Sequence, residues 1–236
     1  MTEKKISRKK LSLSSTVIII LLGILLVILG VDYYRENTKI IPEELLSKSI
    51  NNTLSAKSYR FKTKSTINLD GEGKVFSNLT GEKSGENCFH VTGSMLGTEV
   101  NVYQINNTTY RMDPLTQRWI ITDNNSLIKE SLLMAELNPL SNFYFKDLVS
   151  ASYLGKEKIK NKKLYKLECI PKVQNKWLDN YFKDLKYLVW VDKKHQLINK
   201  AIVTATSKEN ESGRLTVEVE LYDHNEKITI EAPVLK

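Results

Sequence analysis

From residue 58 the chain exchanges apolar and polar positions every second residue. Tyr59, Phe61, Thr63, Ser65, Ile67 and Leu69 alternate with Arg60, Lys62, Lys64, Thr66 and Asn68, the pattern of a strand with one covered and one solvated face. Asp70-Gly71 then signals a turn. The design repeats over 74–81, 87–95, 99–106, 109–113 and 117–122, predicting short strands on hairpin spacing. It returns over 163–170, 187–192 and 196–206, with Asp192-Lys193-Lys194-His195 as a hairpin turn. Alternation is cleanest at the end, where Leu215, Val217, Val219 and Leu221 stand against Arg214, Thr216, Glu218, Glu220 and Tyr222.

Three stretches follow the helical period instead. Pro42 suits a helix start, and Leu45, Leu46, Ile50 and Leu54 recur at helical spacing, predicting a helix from 42 to about 56 with one buried face. Over 126–137, Ile128, Leu132 and Ala135 form one line with Leu127, Leu133, Met134 and Leu137 beside it. Over 174–185, Trp177, Leu178, Tyr181, Phe182 and Leu185 do the same. Both stripes are wide enough to act as lids over something apolar, and both are equally compatible with helices that only complete a core. Roughly nine or ten antiparallel strands and three helices predict an α+β architecture, with one curved sheet covered on one side.

A different pattern precedes these elements. Residues 11–31 carry no charge; as a helix they would measure about 31 Å, matching a hydrocarbon core of about 30 Å. Lys4, Lys5, Arg8, Lys9 and Lys10 stand before them against Glu3 alone. Positive charge stays inside, which predicts a cytoplasmic tail over 1–10, a transmembrane anchor over 11–31, a stalk over 32–41 and an extracytoplasmic domain over 42–236, in the cell membrane as a single-pass protein. A cleaved signal peptide is the alternative, but the apolar core is long for one, and Ile28-Leu29-Gly30 offers a single small residue at the exit.

Composition narrows the function. The chain has 236 residues, 41% apolar and 26% charged, a globular balance. Its net charge is +8, and half of that lies in the first ten residues, so nucleic acid is not expected as a partner. Cys88 and Cys169 are too few for a disulfide framework and lack C-x-x-C spacing; they read as two small buried or half-buried side chains, with a single disulfide as the other option.

His90, His195 and His224 lie far apart with no ligand spacing. Gly93-Ser94-Met95-Leu96-Gly97 is one residue off the G-x-S-x-G elbow, and Gly71-Glu72-Gly73-Lys74 lacks the helix that a phosphate cradle requires. No enzyme, metal or cofactor is expected. Lys156, Lys158, Lys160, Lys162, Lys163 and Lys166 crowd one hairpin. Such a run either touches anionic headgroups or wall polymers or is a solvated face.

Local phrases carry a family resemblance. Val27-Ile28-Leu29-Gly30 resembles a bacterial lipobox, except that Val31 stands where the acylated cysteine would be. Ala56-Lys57-Ser58-Tyr59-Arg60-Phe61, then Val189-Trp190-Val191-Asp192 with Gln196-Leu197-Ile198, and the end from Tyr222-Asp223-His224 to Ala232-Pro233 are similar to the LolA-like superfamily of lipoprotein-carrier folds, especially its LppX/LprG-type lipid-binding branch. The resemblance spans about residues 42–234. It implies an open half-barrel whose concave face, capped by helices, holds acyl chains of a lipid or lipidated molecule.

Phe61, Ile67, Val102, Trp119, Leu132, Leu133, Trp177 and Val189 are the candidate lining residues. An apolar site needs no directional motif, because each buried methylene contributes roughly 0.8 kcal/mol. The alternative is an exported sensor or interaction module of the same fold, its cavity filled by its own side chains and its partner another envelope protein.

Overall fold

The computed structural model describes residues 21–31, 40–69, 71–123 and 138–235. It divides at Ile41 into two units. Of the first, residues 21–31 are helical with exposed side chains. Among the described residues no helix is long and apolar enough to cross a membrane; the span expected over 11–31 and the stalk expected over 32–41 lie partly outside them, and the helix expected over 126–137 lies wholly outside.

The second unit is one open, curved antiparallel sheet of 11 strands. Helix α1 (Pro42–Leu54) leads into β1 (Ser58–Leu69), β2 (Glu72–Ser84), β3 (Cys88–Met95), β4 (Thr98–Ile105), β5 (Thr108–Met112) and β6 (Trp119–Asp123). After a 3-10 turn (Pro139–Phe143) come β7 (Phe145–Ile159), β8 (Lys162–Val173), a short helix α2 (Lys176–Tyr181), β9 (Phe182–Asp192), β10 (Leu197–Ser207) and β11 (Arg214–Tyr222). The spatial order is β6-β5-β4-β3-β2-β1-β11-β10-β9-β8-β7. Two meanders therefore meet at a seam between the first strand and the last.

Alternation sets which face is inner. Phe61 pairs with Leu221, Thr63 with Val219, Ser65 with Val217 and Ile67 with Leu215. The row continues through Ala201, Val203 and Ala205 on β10 and Val189 and Tyr187 on β9, nearly all buried. α1 presents Leu46, Ile50 and Thr53 to this face, and the Thr53 hydroxyl accepts the Ile198 N–H at 2.9 Å while donating to Ser49 O at 2.6 Å. Opposite, Trp190 donates Nε1–H to Glu157 at 3.0 Å, with Lys166 and Lys200 over its ring.

Two expectations change. The helix over 174–185 is only α2, because Phe182 starts a strand that pairs with Ser207. Leu185 then sits beyond Asp184, whose φ of 55° marks an irregularity in β9. β7 was not among the expected strands: register shifts at Phe145/Asp147, Leu148/Ser150 and Tyr153/Gly155 reset its alternation three times. Among the described residues, the helices pack chiefly on β7–β10.

An apolar groove at one end of the sheet

The strands give the domain two ends. At one, here the near end, β1 begins and the β2–β3, β4–β5, β7–β8 and β9–β10 turns lie; at the other, the far end, are the β1–β2, β3–β4, β5–β6 and β10–β11 turns and α2.

Along β1 the inner face is full near its start and opens toward its finish. Phe61 and Leu79 are fully buried, and Thr63, Ser65 and Ser77 continue the burial with small side chains. Beyond Ser65 a bulge intervenes: Ser65 pairs with Ser77 but Thr66 pairs with Val75, leaving Phe76 as an extra residue. Bulges bend the strand and re-aim side chains. Here the far ends of β1 and β2 leave Ile67 half-buried and Leu69 and Val75 about half exposed.

Two hollows share that floor. One of about 640 Å³ is lined by Ile67, Leu69, Glu72, Lys74, Val75, Phe76 and Leu96. The other, of about 230 Å³, is lined by Ile67, Leu69, Trp177, Tyr181, Phe182, Ser207, Glu209, Gly213 and Arg214. Ile67 and Leu69 join them. α2 supplies the aromatic wall: Asn175 caps it, accepting from the Trp177 and Leu178 N–H groups at 3.0 and 3.2 Å, Leu178 is buried, and Trp177 and Tyr181 stand one turn apart. A third hollow of about 330 Å³ lies between α1, at Leu46, Ile50 and Leu54, and the segment from Phe143 to Leu148.

Two ion pairs stand near the groove, whose lining also carries Glu72, Lys74, Glu209 and Arg214. Lys183 meets Glu211 at 2.8 Å, which holds the lysine above and the carboxyl below their ordinary ranges, and Lys146 meets Asp179 at 3.0 Å. Among the described residues no three His, Cys, Asp or Glu side chains are grouped to hold a metal. Cys169 is buried and its thiol pushed up to about 12, chiefly by desolvation; Cys88 is half-buried, and both are free.

The candidate lining residues separate accordingly. Ile67 and Trp177 meet across the 230 Å³ hollow. Phe61 and Val189 are fully buried and Val102 nearly so, while Trp119 is half-buried with its ring edge on Tyr103 at 5.6 Å. Leu132 and Leu133 lie outside the described residues. Sequence reasoning passed over Leu69, Val75, Leu96 and Tyr181. For Leu69 and Leu96 the available signal was their place at turns, where an apolar residue has no strand face to fill, and for Tyr181 it was the stripe expected over 174–185.

Comparison with solved structures decides the fold. The lipoprotein LppX of Mycobacterium tuberculosis superposes with a TM-score of 0.51 at 14% identity, over 80% of this chain and 99% of that one. LprF from Mycobacterium bovis gives 0.51 at 12% identity, over 80% and 95%. The domain shares the fold of LppX and LprF. Its likeness to LppX and LprF is one of fold, and the LppX branch is the one that the local phrases resemble. No protein family matches the sequence, and no curated protein does.

Proposed function

We propose that this chain is a membrane-anchored extracytoplasmic binding protein that holds an apolar ligand, a lipid or the acyl chains of a lipidated molecule, between its sheet and helices. Residues 1–10 lie in the cytoplasm, 11–31 anchor the chain and 32–41 are a stalk. The groove over Ile67 and Leu69 is the ligand's way in. The observation that carries this reading is the larger hollow: about 640 Å³ falls within the range of ligand sites, which begins near 300 Å³, on a fold shared with the lipoprotein LppX and with LprF. Burial of roughly 0.8 kcal/mol per methylene holds a chain without a polar motif.

The test is organic extraction and mass spectrometry of the full chain purified in detergent, beside Ile67→Glu. An amphiphile co-purifies with the native protein and is depleted in the variant, whose circular dichroism is unchanged. Absence of any amphiphile, with no uptake from added membrane lipids, ends the carrier reading.

One observation favours a second reading, an exported sensor or interaction module. The inner face beneath α1 is filled, with Leu46, Phe143, Leu167, Tyr187 and Val189 all fully buried. In that case an envelope protein, and no lipid, is recovered with the chain.

A further inference from the structure

The two ends of the sheet differ in what their turns expose. At the near end the turns consist of Gly85, Glu86 and Asn87, of Asn106 and Asn107, of Lys160 and Asn161, and of Lys193, Lys194 and His195. At the far end Leu69, Leu96 and Leu115 stand 48%, 68% and 92% exposed in or beside three successive turns. Val75 and, on α2, Tyr181 are also exposed there, beside half-buried Trp177. Single exposed hydrophobic residues are ordinary on a protein surface, and Val149, Leu154 and Ile170 on β7 and β8 and Val234 and Leu235 in the tail are of that kind, but among the described turns it is those of the far end that carry them.

α1 lines a hollow with Phe143 and Phe145 from Leu46 to Leu54, and its last turn bonds Ile198. Only residues 32–41 lie between Pro42 and the apolar run over 11–31, a reach of at most about 35 Å, so a membrane holding that run is within reach of the domain at high effective concentration.

We propose that the far end is a bilayer-docking surface, with Leu69, Val75, Leu96, Leu115, Trp177 and Tyr181 entering the outer leaflet of the membrane that anchors the chain. Tryptophan and tyrosine beside aliphatic side chains suit the boundary between headgroups and acyl chains. Three ion pairs, Lys146–Asp179, Lys172–Asp147 and Lys183–Glu211, stand at this end, where Glu72 and Lys74 also line the groove with opposite charges. The lysine-rich β7–β8 turn, which charge alone would aim at anionic headgroups, lies at the opposite end with Lys160 held by Glu220. Docking in this pose sets the Ile67 groove against the lipid phase. The proposal rests on the anchor assigned above to residues 11–31.

The test places the full chain in nanodiscs of phosphatidylcholine, with spin labels on Leu115→Cys, Val75→Cys and, as the near-end control, Lys193→Cys, each in a Cys88→Ser background. Leu115 lines neither hollow, so its label reports bilayer and not bound ligand. The expected result is oxygen accessibility several-fold above nickel-chelate accessibility at 75 and 115, the reverse at 193, and no change at high salt. A second measurement needs no cysteine: brominated phosphatidylcholine quenches the emission component that Trp177→Phe removes. Labels at 75 and 115 as water-exposed as that at 193, or shielded from both reagents as under a protein partner, overturn the proposal. Failure of the anchor reading looks different, since the chain then does not co-purify with nanodiscs. Failure of the ligand reading leaves the label at 115 in lipid.

Discussion

The ring of Phe61 occupies the space that a side chain on Gly81 would need. The two residues are paired across β1 and β2, and a β-carbon at Gly81 would stand 2.4 Å from Phe61 Cζ. Phe61 is fully buried, so neither strand has room to yield.

Gly81→Ala is therefore expected to destabilise the domain by about 1–3 kcal/mol, the usual range for overpacking, read as a lower urea midpoint. Phe61→Leu in the same chain recovers part of that loss. A double-mutant cycle without coupling between the two positions contradicts the packing.

Thr53→Val keeps the shape of the side chain and removes its hydroxyl. It strands the buried Ile198 N–H, which now donates to Thr53 at 2.9 Å. An unmet buried donor costs about 1–3 kcal/mol, and faster amide exchange at Ile198 locates the damage, whereas Thr53→Ser retains native exchange.

Acid weakens the domain through His224. Burial, with the Lys162 charge next, lowers its pKa to about 4, although a hydrogen bond with the Ile198 backbone works the other way, and its Nε2 has no partner. The unfolded imidazole protonates near 6.5 and the folded one only near 4. Between those values the unfolded state binds more protons, so stability falls as pH falls, by up to about 3 kcal/mol. Urea midpoints from pH 7 to 4.5 show this slope in the native chain, and His224→Asn flattens it.

The two thiols are expected to stay apart. Cys88 is on β3 and Cys169 on β8, with β2, β1, β11, β10 and β9 between them. Mapping without reductant finds both free, and a thiol reagent applied to the folded chain modifies Cys88 before Cys169, whose thiol is buried.

Much of the sheet was legible because β1 and β11 keep one phase throughout, so Leu215 to Leu221 mark the inner face residue by residue. β7 was illegible for the opposite reason: three register shifts move its apolar residues between faces. α2 was overextended because Phe182 and Leu185, although in a strand, continue the helical spacing of Trp177 and Leu178. For the groove, alternation identifies inward positions but not whether anything stands opposite. Phe61 and Ile67 share one face of β1, yet Gly81 receives the first while the bulge at Phe76 leaves the second half-open.

The seam between β1 and β11 constrains the order of assembly. The partners of Phe61, Thr63 and Ser65 arrive only with Leu221, Val219 and Val217, so a chain emerging amino end first carries β1 with a bare edge through the synthesis of nine further strands. Unpaired edges invite adventitious pairing, and early contact between such distant segments is slow. A nonsense mutation before β11 removes the middle of the sheet and not its margin.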